Sequence, residues 1–177
     1  FDICQTDDEG FIVAGGYVEN LMKVDKDGNK LWEKSFDNID YLRSVQLTND
    51  GGFIMIGGYR PTRHLIKTNS NGDIEWITKF NPFMHSQSVI QNNDGGYALV
   101  GYQGESDYEP MGWMIITDEN GNIISRKNYT CSSIYYCPNS LYQTSEGGYI
   151  IAGGARFKNF PTPWLEDESL WLAKTDE

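Results

Sequence analysis

The residues of this chain that could do chemistry are few and scattered. Its two histidines, His64 and His85, are the side chains best suited to proton transfer near neutral pH, and they fall in different segments. Both read as loop or surface histidines. Carboxylates are abundant, with 25 Asp and Glu against 14 Lys and Arg, so acidic pairs occur throughout and no glycosidase dyad stands out. The stretch Asp25-Lys-Asp-Gly-Asn29 alternates oxygen side chains around a Gly, as parts of Ca²⁺ loops do. It lacks a later bidentate Glu and runs into a segment bearing Trp32, so it reads as a hairpin turn. Gly-x-Ser-x-Gly, His-Glu-x-x-His and a Gly-rich phosphate loop ahead of a helix are missing. No catalytic residue, metal ligand or cofactor follows from the sequence.

Three cysteines remain. Cys131 and Cys137 bracket an insertion between two strands, which makes a disulfide closing that loop the expected state and an oxidising compartment the expected location. The alternative is two unpaired small apolar residues. Cys4 is expected as a buried free thiol. Asn128-Tyr-Thr130 is a glycosylation sequon.

The elements that must carry these residues repeat four times. The anchors are Asp8-Glu-Gly-Phe-Ile-Val-Ala-Gly-Gly16, Asp50-Gly-Gly-Phe-Ile-Met-Ile-Gly-Gly58, Asp94-Gly-Gly-Tyr-Ala-Leu-Val-Gly101 and Glu146-Gly-Gly-Tyr-Ile-Ile-Ala-Gly-Gly154. Each unit reads as four short strands, A to D, joined at A–B and C–D by Asx-Gly hairpins. The unbroken apolar run of strand B implies cover on both faces, whereas the alternation in strand C, as in Leu65-Ile-Lys-Thr68, implies one wetter face. No segment sustains helical spacing. The expected class is all-β, with four-stranded antiparallel units as β-propeller blades over residues 1–36, 37–80, 81–129 and 130–177 of a single array. The fourth unit stops after strand C. That pattern suits part of a larger ring, or a four-bladed ring with one incomplete blade. Starting at Phe1, the chain looks processed or truncated.

At these anchors the sequence resembles kelch-like propeller repeats of the Asp-Gly-Gly-Tyr-Ile-Ile-Ala-Gly type, found in secreted bacterial and archaeal surface proteins. In that pattern a strand ending in Gly-Gly is followed by an outer pair ending near a Trp, the places of Gly57-Gly58 and Trp76. The third unit departs, with Gly101-Tyr102 for the Gly pair and Ser125 for the Trp. The Gly72-to-Trp76 spacing also resembles the Gly-x-x-x-Trp turns of quinoprotein propellers. The resemblance implies binding or scaffolding and brings no catalytic residues with it.

Charge and loop chemistry narrow the function further. A net charge of −11 disfavours nucleic acid and anionic membranes as partners, and the longest apolar runs are strand-length. The A–B and C–D turns are short and acidic. The opposite end of each blade, made by the B–C and D–A connections, carries all six prolines and most of the loop aromatics and arginines. Tyr59, Arg60, Arg63, Tyr102, Tyr108, Arg156, Phe157, Phe160 and Trp164 are the expected binding residues, because aromatic and Arg side chains dominate recognition hot spots. The expected function is a non-catalytic extracellular or cell-surface propeller. Its partner is a protein, a glycan, its own copies or the remainder of the ring. A propeller-type glycan hydrolase or quinone-dependent dehydrogenase is the alternative.

Overall fold

A computed structural model of the chain describes residues 1–16, 20–59, 62–80, 84–104, 111–130, 134–157 and 169–176. Among them are fifteen strands and no helix, forming four antiparallel sheets in chain order. The first sheet holds β1 (Asp2–Gln5), β2 (Phe11–Ala14), β3 (Leu21–Val24) and β4 (Lys30–Lys34). The second holds β5 (Tyr41–Leu47), β6 (Phe53–Tyr59), β7 (Thr62–Thr68) and β8 (Ile74–Phe80). The third holds β9 (Met84–Gln91), β10 (Tyr97–Gln103), β11 (Met111–Thr117) and β12 (Ile123–Tyr129), and the fourth β13 (Ile134–Gln143), β14 (Tyr149–Phe157) and β15 (Ser169–Thr175). Every sheet is a simple meander. The first strands touch in succession, β1 to β5, β5 to β9 and β9 to β13, while β8 and β12 carry mainly exposed or half-buried side chains. This is the radial order of β-propeller blades, with strand A innermost and strand D outermost.

The hairpins are closed by the chemistry their sequences carry. Gly28, Gly72 and Gly121 adopt φ of +85°, +77° and +79°, in the left-handed region where a side chain is strained. In the C–D turns the first Asx side chain holds two backbone amides: Asp25 Oδ1 accepts from Asp27 N and Asn29 N at 2.9 and 2.8 Å. Asn69 and Asp118 repeat the arrangement. Both Asp25 oxygens of the stretch that suggested a cation are thus turned onto the chain's own amides, Oδ2 accepting from the Asn29 side chain at 2.9 Å.

The core lies between blades, not within them. Ile12, Ala14 and Leu21 of the first blade pack with Val45, Phe53, Met55 and Ile66 of the second. Ile54, Ile56 and Leu65 leave the other face of the second blade to meet Val89, Tyr97, Leu99 and Trp113. Ala98, Val100 and Met114 then meet Leu141, Tyr149 and Ile151. Alternate residues of β6 therefore serve two different cores, which is why strand B is apolar without a break. Each such side chain contributes about 1.5–3 kcal/mol by leaving water. β2 alternates half-buried and buried residues because, among the described residues, one of its faces meets the second blade.

Strand C corrects one expectation. β7 is buried along nearly its whole length, and so is Lys67. Its ammonium is neutralised where it lies, by Asp50 Oδ2 at 2.7 Å from the A–B turn and Glu75 Oε2 at 2.8 Å from β8. Lys23 is held likewise by Asp8 at 2.6 Å and by the Thr6 hydroxyl. The wetter strand is D. Several acidic A–B turns are therefore ionic clamps as well as punctuation. The third blade lacks the clamp, having Ile116 at the lysine position.

Candidate functional site

The end of the blades carrying the B–C and D–A connections is built differently from the turn end, and in the second, third and fourth blades the cause is one glycine. In the second blade Leu42 pairs with Gly57 but Ser44 with Ile56, leaving Arg43 unpaired. The third blade repeats this slip around Gln87 and the fourth around Asn139. A Cβ on Gly57 would lie 2.2 Å from the Tyr41 carbonyl oxygen, one on Gly101 2.0 Å from that of His85, and one on Gly153 2.2 Å from that of Cys137. Only glycine lets strand A approach so closely, so the first glycine of the Gly-Gly pair is what permits the bulge. Bulges re-aim side chains. Here they set Arg43, Gln87 and Asn139 in a row along successive innermost strands. Arg43 is exposed, and its Nη1 donates to Gln87 Oε1 at 3.2 Å, joining two of the bulges.

Rings and further cations stand on the same two blades as Arg43 and Gln87. The Tyr41 ring has Arg63 at 5.3 Å and Arg43 at 5.9 Å from its centroid, both within cation–π range. His85 and Tyr102 sit opposite each other on β9 and β10 and stack at 4.8 Å with an interplanar angle of 11°. Arg126 donates to Gln103 Oε1 at 2.8 Å. His64 is buried on β7, and burial, reinforced by the charges of Lys79 and Arg63, pushes its pKa below the ordinary imidazole value. It is neutral at pH 7, and its Nδ1 has no partner among the described residues.

The residues expected from sequence fall in different places. Tyr59 ends β6 with 55% of its surface exposed. Arg63 and Tyr102 lie in β7 and β10 rather than in loops, because these strands run on past the glycines; Arg63 is buried, and Tyr102 is engaged with His85. The two histidines are likewise strand residues. The backbones of Arg156 and Phe157 continue β14, opposite Tyr135 and Ile134. Arg60, Tyr108, Phe160, Trp164 and Cys131 lie outside the described residues. Cys137 stands on β13 opposite Gly154. Sequence reasoning missed Arg43, Gln87 and Asn139, because strand A was counted without bulges; the paired glycines were the available signal.

The assembled surface presents guanidinium and amide hydrogen-bonding groups beside aromatic rings, which suits hydrogen bonding and stacking to a ligand. Among the described residues no group of three or more His, Cys, Asp or Glu could hold a metal ion.

Neither a protein-family model nor a curated protein matches the chain. Solved structures do. One is a protein of unknown function from Bacteroides caccae, with TM-score 0.62 and 14% identity, matched over 99% of this chain and 60% of that one. Another is the lignostilbene dioxygenase of Pseudomonas brassicacearum, with TM-score 0.57 and 9% identity over 99% of this chain and 44% of the enzyme. An apocarotenoid oxygenase from Synechocystis gives TM-score 0.55 at 8% identity, over 99% and 45%. The chain thus spans about three-fifths of the first and under half of the oxygenases, and what it shares with them is the fold.

Proposed function

We propose that the chain is a non-catalytic binding propeller of the kelch-like repeat type, acting outside the cell or at its surface. Its ligand, a protein or a glycan, meets the B–C and D–A end and the bulge row of the inner strands. The observation that carries this reading is the repeated glycine-permitted bulge. Three blades use the same backbone device to present a polar side chain, Arg43, Gln87 or Asn139, on the innermost strand. Arg43 makes no ion pair among the described residues, and its single bond to Gln87 leaves most of its guanidinium donors open to a ligand. The test is a binding screen of surface proteins and glycan arrays, followed by Arg43→Ala and Tyr59→Ala. At least tenfold weaker binding at unchanged Tm supports the reading. Unchanged binding by both variants overturns it.

The second reading is a propeller enzyme. The oxygenases among its structural neighbours favour it. Turnover of a screened substrate by the purified protein, abolished by a substitution at the bulge row, would establish it in place of simple binding.

A further inference from the structure

The bulge residues differ in what they offer a ligand. Arg43 of β5 is exposed and donates from Nη1 to Gln87 Oε1 at 3.2 Å. Its Nε and Nη2 lie along another edge of the planar guanidinium, one that can hold a carboxylate through two parallel hydrogen bonds. The same bond to Gln87 also fixes the amide. A guanidinium has no acceptor, so Gln87 turns its oxygen to Arg43 and leaves its Nε2 donors for other partners. The pair therefore presents donors alone, and a ligand rich in acceptors completes it.

Two further observations narrow the ligand. Tyr41, on the same strand as Arg43, has the guanidinium of Arg43 at 5.9 Å and that of Arg63 at 5.3 Å from its ring centroid, so positive charge from β5 and β7 gathers beside the row. An anionic acceptor is favoured there over a neutral one. Next along the row, Asn139 of β13 is exposed, and β13 touches β9. Its amide both donates and accepts, as a sugar hydroxyl does. Large apolar side chains, the usual anchors of a protein partner, are scarce here. Of those exposed among the described residues of the second and third blades, only Tyr59 lies at this end, while Ile74, Ile77, Ile123 and Ile124 stand on the outer strands β8 and β12.

We propose that Arg43 and Gln87 form the carboxylate subsite of the bulge row and that its ligand is an acidic glycan, a chain bearing uronic acid units. Resting on the reading of the row as the binding surface, this assigns the chemistry of what it binds. A uronate carries a planar carboxylate on a ring of hydroxyls. The carboxylate accepts from Nε and Nη2 of Arg43, and Gln87 Nε2 and the Asn139 amide meet hydroxyls of the same chain.

The probes are tetrasaccharides of galacturonate, glucuronate and mannuronate, the methyl esters of the same chains, and a tetraglutamate peptide, each titrated calorimetrically into the full 177-residue protein. At least one uronate chain should bind, and its methyl ester at least about tenfold more weakly, because hydrogen bonds to a charged acceptor are lost. Arg43→Lys keeps the charge but not the fork, and Gln87→Glu sets a carboxylate against the guanidinium. Each should weaken uronate binding at least about fivefold at unchanged Tm. Three results overturn the acidic glycan: no binding by any of the three uronates at millimolar concentration, equal binding of acid and ester, or tetraglutamate binding as tightly as the best uronate, which would make an acidic protein the ligand. A neutral ligand from the surface screen whose binding needs Arg43 and Tyr59 also overturns it, yet leaves the row standing as the binding surface. Uronate binding that both variants leave unchanged overturns the subsite and the row together.

Discussion

Trp76 of β8 lies over the backbone of Gly121, a residue of the next blade's C–D turn: a Cβ built on that glycine would fall 2.5 Å from the indole Cζ3. The same ring meets Tyr97 edge-on at 5.6 Å, and Thr78 donates to the Gly121 carbonyl at 2.9 Å. One blade earlier Trp32 stands over Gly72 and against Phe53, with Lys34 paired to Asp73 at 2.9 Å. The turn glycine therefore has two tasks, making the hairpin and receiving the neighbour's Trp. The inner rim carries its own seam, where Gln91 accepts from Asn49 N and Gln143 from Asn93 N, both at 2.8 Å.

Those two tasks can be separated by mutation. Gly28 and Gly121 occupy the same turn position with nearly the same positive φ, but nothing lies within 4 Å of a Cβ on Gly28. Gly28→Ala should cost only the left-handed strain, about 1–2 kcal/mol. Gly121→Ala carries that strain plus overpacking against the indole, a further ~1–3 kcal/mol. Urea denaturation of the two variants decides the matter. Equal losses would mean that the Trp76 contact does not hold the blades together.

The ionic clamps predict an acid limb of stability. The Lys23 hydrogen bond, then that from Thr6, lowers the Asp8 pKa to about 2. For Asp50 burial pushes upward, but the Lys67 and Thr48 hydrogen bonds outweigh it and the result is again about 2. An unfolded Asp titrates near 3.9, so below about pH 4 the unfolded chain binds more protons than the folded one, and stability rises with pH there. The contribution is full above about pH 4 and is lost as pH falls through 2. Thermal melts from pH 5 to 2 should show a steep fall in Tm that is shallower in the Asp8→Asn/Asp50→Asn double variant; parallel curves would remove the clamps from the account.

How much of this was legible in the residues follows from which features are local. Fifteen strands, their pairing and the three strands of the fourth sheet could be read because Asx-Gly turns and apolar anchors announce themselves within a few residues. Strand C misled because the burial of Lys67 depends on Asp50 and Glu75, one before and one after it in the chain, and alternation alone reads a lysine as solvated. The extension of β6, β7 and β10 past the glycines was hidden because glycine also signals a strand end. The departure of the third unit has a packing reason. Gly101 is kept because the His85 carbonyl and Trp113 close on it, while the second glycine is replaced by Tyr102, whose ring stacks on His85.

The cysteine expectation is open to direct measurement. A bridge between Cys131 and Cys137 leaves Cys4 as the lone thiol of the three. Thiol titration of unreduced, denatured protein should therefore find one reactive group. Three would remove both the bridge and the argument it makes for an oxidising compartment.

The last prediction concerns Trp113, fully buried between the second and third blades, whose indole N–H meets no acceptor among the described residues. Two effects oppose each other in Trp113→Phe. Removing an unsatisfied buried donor relieves about 1–3 kcal/mol. Losing roughly 40 Å³ of side chain costs about 1 kcal/mol as cavity, and the lost apolar contact costs ~1 kcal/mol more. The sum is near zero, so the variant should stay within about 1 kcal/mol of the parent protein in urea denaturation. Leu99→Ala, in the same cluster but with no polar atom to relieve, should lose about 2–5 kcal/mol. A loss above ~3 kcal/mol for Trp113→Phe would show that the indole N–H has an acceptor, such as an internal water, that makes it a structural hydrogen bond rather than a burden.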